Sequence, residues 1–156
     1  MIQDKLLYKF GIVVMGIWLF SVYGIHKAEG AEWKLFQATQ AGNIYYFDSA
    51  SIKHFPNGLS WVWVKIIETG EFSEEELKGL KDPKKSKDII TKAQAKSMEE
   101  WRQLFEINCS VGMARTLSAT LYHKDGSIKE DYELPSEWVY IPKDSITNNL
   151  SKMICP

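Results

Sequence analysis

The sequence predicts an α+β domain: an antiparallel sheet of about six strands with a C-terminal helix held against it by a disulfide. Three observations predict it. Stretches of strand-like alternation recur along the chain, separated by Gly, Asn and Asp in turn-forming pairs. The two cysteines are Cys109 in "EINCS" and Cys155, one residue from the C-terminus, where a chain frays unless something ties it down. The N-terminus has the layout of an export signal, and in an oxidising compartment an even cysteine count reads first as a bridge.

The 156 residues fit one domain, with a formal net charge of −1. Lys5 and Lys9 precede the uncharged run "GIVVMGIWLFSVYGI", and polarity returns in "HKAEGAEW". Ala28 and Gly30 fit the small-residue positions of a cleavage site, so residues 1–30 read as a signal peptide and 31–156 as the mature domain. An uncleaved membrane anchor is the alternative, although the run is short for a crossing. No cysteine stands directly behind the run, which excludes a lipoprotein-type attachment. Removing residues 1–30 takes away three lysines and two acids and leaves a net charge of −2. Neither this charge nor export suits a nucleic-acid binder. The cysteine spacing is far from C-x-x-C, and His26, His54 and His123 are scattered, so thiol-redox chemistry and a structural zinc site are not supported.

The first strand is read in "EWKLFQAT" (Glu32–Thr39) and the second in "IYYFDS" (Ile44–Ser49), joined by "QAGN", in which Gly42-Asn43 tolerates positive φ. Asn57-Gly58 then precedes "LSWVWVKIIE" (Leu59–Glu68). This stretch puts Trp61, Trp63 and Ile67 on one face and Val62, Val64 and Ile66 on the other, as in a central strand covered on both sides. From Thr69 to Glu100 the chain becomes a charged excursion. Ser73 and Glu76 form a capping box for a short helix through Leu80, stopped at Asp82-Pro83, and a second weak helix is read from about Lys87 to Lys96. The excursion shows few residues committed to a core, so its replacement by a short link is expected to leave the sheet folded.

Alternation resumes in "EWRQLFEINC", with Trp101, Phe105, Ile107 and Cys109 on the inward face. "MARTLSATLY" sets Leu117, Ala119 and Leu121 against Thr116, Ser118 and Thr120, and "HKDGS" turns at Asp125-Gly126. "IKEDYEL" returns as a polar strand suited to an edge. After Pro142, Asp144 or Ser145 caps a helix of about three turns with Ile146, Asn149, Leu150, Met153 and Ile154 on one side. On an ideal helix Cys155 falls opposite Ile146, so the last turn must unwind for a Cys109–Cys155 bridge to close.

Taken in order, "EWKLF", "IYYFDSASI", "WVWVKI", "EINC", "LYHKDGS", "EWVYIPKDSI" and the terminal "ICP" resemble the surface-adhesin protein E family of Gram-negative bacteria. The resemblance spans nearly the whole mature chain and includes both cysteines. It implies a curved antiparallel sheet with the C-terminal helix tied to its concave side. It further implies binding of host matrix or plasma proteins at a bacterial surface, and a capacity to form a homodimer.

For function, no nucleophile, base and orienting group can be assembled from the residues, and "SEEEL" is an acid-rich helix start, so no enzyme is predicted and no cofactor is called for. The favoured reading is a non-enzymatic interaction domain in the periplasm, on the outer-membrane surface or secreted, with an unidentified protein as partner and no nucleic acid. Its binding surface is placed on the excursion, at Lys78, Lys81, Lys84, Lys85 and Lys87. The alternative is a periplasmic carrier of a small apolar or aromatic ligand, its pocket lined by Trp61, Trp63, Trp101 and Phe105.

Overall fold

A computed structural model of the chain describes residues 30–96, 99–132 and 135–156. The expected signal segment lies outside these residues, Gly30 excepted, as do Glu133 and Leu134 of the expected sixth strand. Eight strands form one antiparallel sheet: β1 (Trp33–Ala38), β2 (Asn43–Asp48), β3 (Lys53–His54), β4 (Leu59–Glu68), β5 (Glu99–Asn108), β6 (Met113–His123), β7 (Ile128–Tyr132) and β8 (Val139–Tyr140). The main path runs β1-β2-β4-β5-β6-β7, while β3 pairs with β4 and β8 pairs with β6. The six strands read from the sequence are this main path. The two-residue strands β3 and β8 are additions made by tertiary pairing.

Among the described residues there are three α-helices: α1 (Glu74–Leu80), α2 (Pro83–Lys96) and α3 (Ile146–Ile154). Helix α1 opens with the expected capping box, the Glu76 amide donating to Ser73 Oγ at 3.2 Å and the Ser73 amide to Glu76 Oε2 at 2.9 Å. Asp82-Pro83, read as a stop, also starts the next helix. Asp82 Oδ1 accepts from the Lys84 amide at 2.9 Å, and Pro83 opens α2, where its missing N–H costs nothing, so the helix begins four residues earlier than about Lys87.

Both faces of the sheet are covered, by different helices. On the helix face, α3 buries Leu150 and Ile154 against Phe47, Val62, Val64, Ile107 and Ala114. Ser145 caps α3 by accepting from the Asn148 amide at 3.1 Å, and Asn149 Nδ2 donates to Gln37 Oε1 on β1 at 3.1 Å. Met153, expected in the packed stripe, is instead 52% exposed. Helix α3 ends at Ile154 and Cys155 is extended (φ −78°, ψ 130°), the unwinding that the bridge requires. Cys109 and Cys155 are joined, their Cα atoms 5.7 Å apart.

On the opposite, hairpin face, α1 and α2 fold back over one end of the sheet. Phe72 and Ala93 are buried with Ile44, Tyr46 and Ile67, and Leu77, Leu80, Ile89 and Ile90 pack around them. The excursion is therefore part of the core, a correction to its reading as a detachable loop. Its apolar residues are sparse along the chain, but the two helices pool them on one side. The entry to the hairpin is fixed by the β1–β2 turn: the Thr69 amide and hydroxyl both donate to the Gly42 carbonyl, at 2.9 and 2.8 Å. Gly42 has φ +88°, and a Cβ there would lie 2.0 Å from the Gly70 carbonyl oxygen, so glycine is required on both counts.

Candidate functional site

The five predicted lysines lie on the helical hairpin. Lys78, Lys81, Lys84, Lys85 and Lys87 are all exposed, while the apolar side chains between them face the sheet. From Leu77 to Lys87 the chain carries these five lysines against a single acid, Asp82, and Asp82 is engaged as the cap of α2. The two helices approach closely at Gly79, where a Cβ would come within 2.6 Å of Ile89 Cδ1. The hairpin is thus a packed element presenting a basic turn, with the acids of "SEEEL" gathered at the other end of α1.

The four aromatics proposed to line a carrier pocket are not brought together. Directly paired residues on antiparallel strands point to the same side of a sheet. The register pairs Val62 with Phe105 and Ile66 with Trp101, on the helix face, which sends Trp61 and Trp63 to the hairpin face opposite Glu106 and Leu104. Phe105 packs against the core beneath α3. Trp61 is committed elsewhere: its ring meets Phe55 edge-on at 5.0 Å and its Nε1 donates to Glu106 Oε1 at 2.8 Å. The four rings are divided between the two sides of one sheet, so no single pocket contains them.

What the hairpin face does collect is cations seated on aromatic rings. Lys65 Nζ lies 4.7 Å from the Trp33 ring centroid and 5.1 Å from that of Tyr46. The Arg102 guanidinium lies 4.7 Å from Tyr122, and that of Arg115 lies 4.6 Å from Trp138. Glu106, only 4% exposed, receives both the Trp61 indole and Arg115 Nε, the latter at 2.5 Å. A buried carboxylate held by a cation and a second donor is tolerable, whereas removing either partner leaves an uncompensated charge. Burial holds the Lys65 ammonium below its ordinary range, with the Glu100 carboxylate working against that shift. Sequence reading missed Lys65, Arg102 and Arg115 as a set. Each sits at an ordinary alternating position, and only the strand register lines them up.

Among the described residues, no group of three or more His, Cys, Asp or Glu side chains is placed to hold a metal ion, and no helix is long and apolar enough to cross a membrane. No curated protein sequence matches the chain. Among solved structures, crystal form II of Haemophilus influenzae protein E matches with 15% identity over 80% of this chain and 96% of that chain, at a TM-score of 0.43. A second structure of Haemophilus influenzae protein E matches with 15% identity over 76% of this chain and 86% of that chain, at a TM-score of 0.39. The sequence profile of the family described as surface-adhesin protein E matches residues 33–156, and the chain belongs to that family.

Proposed function

We propose that this chain is a non-enzymatic, exported interaction domain that binds a protein partner at the cell surface or in the envelope, through the basic turn of the α1–α2 hairpin. The observation that carries this reading is the division of labour within the hairpin. Its apolar residues anchor it to Ile44, Tyr46 and Ile67, and its five lysines are left exposed. Lysines with exposed side chains are available for recognition, and a packed helical pair presents them without the ordering cost of a flexible loop. The surface they make suits a partner with an acidic face. Membership of a surface-adhesin family, the signal layout and the single disulfide are all consistent with an exported protein working by contact.

The test is a variant with Lys78, Lys81, Lys84, Lys85 and Lys87 all changed to Gln, compared with the wild type by crosslinking in native envelopes. Its melting temperature should match the wild type, because surface changes away from structural features stay within about 0.5 kcal/mol. Capture of the partner should be lost, and wild-type capture should weaken as salt is raised, since exposed charge pairs are screened over about 10 Å at ordinary ionic strength. Undiminished capture by the folded variant would remove the hairpin from the recognition surface.

A further inference from the structure

Where the C-terminal end of α2 overhangs strands β4 to β6, the hairpin face holds a cleft of about 350 Å³, a size that accommodates a small ligand or one inserted side chain. We infer that this cleft binds a monocarboxylate with a short apolar body, taken by Lys65 and Lys124. None of its lining residues belongs to the lysine turn of the hairpin, so the inference stands apart from the reading above.

Two acids line the cleft, and each already has a cation: Glu99 takes Lys129 Nζ at 2.5 Å and Glu100 takes Arg102 Nε at 2.6 Å. Among the described residues no carboxylate lies within ion-pair distance of Lys65, whose ammonium rests on the Trp33 and Tyr46 rings. Lys124 donates to the Ala95 carbonyl at 3.0 Å and likewise has no carboxylate within ion-pair distance among the described residues. The cleft therefore holds two cations beyond what its own acids neutralise. The half-buried Lys65 ammonium feels the Glu100 carboxylate only beyond ion-pair distance, with the Arg102 charge opposing it, so it gains from a fixed anion of its own, because charge-assisted hydrogen bonds are the strong ones.

The surroundings select the anion. The end of α2 that faces the cleft is its C-terminus, where the helix dipole is negative, and Glu99 and Glu100 stand at the wall. Both features disfavour negative charge in proportion to its size, the acids less so for being paired, so a dianion such as phosphate is opposed more strongly than a monoanion. Buried Ile67 and the Tyr122 ring, held by Arg102, supply an apolar wall for a few methylenes. A single carboxylate on a short chain satisfies all of these. It could come from a free organic acid or from an acidic side chain of a partner protein.

The experiment uses the full-length chain with 13C-labelled lysine, following the Cε–Hε resonances of Lys65 and Lys124 while butanoate, inorganic phosphate or the blocked peptide acetyl-Gly-Glu-Gly-amide is added. Butanoate should shift both resonances saturably, and sodium chloride at equal ionic strength should not. Lys65→Met keeps an unbranched stem between the rings and should abolish the Lys124 response. Lys124→Ala leaves the Lys65 stack intact and should weaken binding read at Lys65 by about tenfold, the value of one charge-assisted hydrogen bond; it decides the matter alone if Lys65→Met does not fold. Saturation by butanoate but not the peptide identifies a free acid, and saturation by the peptide identifies a partner's side chain. Both support the site. It is overturned if neither saturates, if chloride reproduces the shifts, if phosphate saturates at lower concentration than butanoate, or if Lys124→Ala binds unchanged.

Discussion

Tyr46 shows at the scale of one residue how burial and charge interact on the hairpin face. Its side chain is 7% exposed and its hydroxyl makes no satisfactory hydrogen bond among the described residues. Burial pushes the phenol up to about 12, with the nearby Gln94 amide working the other way. In the unfolded chain a tyrosine titrates near about 10, so the folded state keeps its proton to higher pH. The stability from this group is complete below about pH 10 and is lost as pH rises towards about 12, a loss of about 2 kcal/mol. Lys65, seated on the same ring, acts oppositely: its pKa is lowered, so its charged form costs stability at neutral pH and that cost is relieved as pH rises. Tyr46→Phe should gain up to about 1 kcal/mol at pH ~8, because a buried hydroxyl without a partner is removed. It should also reduce the drop between pH ~8 and ~11.5 in urea denaturation by about 2 kcal/mol, leaving the part due to Tyr45, whose phenol is raised by burial, and Tyr132, raised by its bond to Glu130. An equal alkaline drop in the variant would assign it to another group.

The α1–α2 hairpin is held to the sheet by its apolar side chains. Phe72 and Ala93 are buried with Ile44, Tyr46 and Ile67, and Leu77, Leu80, Ile89 and Ile90 pack around them together with Trp33 and Leu35 of β1, so the hairpin supplies most of their cover among the described residues. Replacing residues 71–96 with a Gly/Ser link should therefore cost on the order of 5 kcal/mol, from about 1.5–3 kcal/mol for each large apolar side chain returned to water. Denaturant unfolding measures the loss, and binding of a hydrophobic dye at the same face should accompany it. The lysine exchange should leave both readouts unchanged. Wild-type stability after excision would mean that the hairpin is a passenger and not part of the core.

For the whole molecule, the decisive connection is between the last helix and the middle of the sheet. Helix α3 has nine residues and would be marginal alone, yet it covers the core formed by β2, β4, β5 and β6. The bridge from Cys109 to Cys155 closes a sequence separation of 46 residues, which in the chain-entropy view stabilises the fold by roughly 4 kcal/mol. Changing both cysteines to serine should lower stability by about that amount. Hydrogen exchange should show α3 losing protection first while β4 and β5 stay protected, since they pair along ten residues. Uniform loss of protection would show that α3 and the sheet unfold as one unit.

By itself the sequence determined what depends on near neighbours along the chain. The main-path strands follow from alternation, the α1 start from Ser73 and Glu76, the tight turns from Gly42 and Asp125-Gly126, and the bridge from the even cysteine count read with the expectation of export. Even the unwinding at Cys155 followed from helical geometry. Tertiary structure decided everything that depends on register and on which faces meet. Alternation gives each strand two faces without saying which is shared with its neighbour, so Trp61 and Trp63 could be read beside Trp101 and Phe105 until the pairing of Val62 with Phe105 separated them. Leu77, Leu80, Ile89, Ile90 and Ala93 look too sparse for a core in one dimension and form one when two helices fold together. Lys65, Arg102 and Lys124 lie far apart along the chain, and the cleft they share exists only because three strands and the end of a helix meet there.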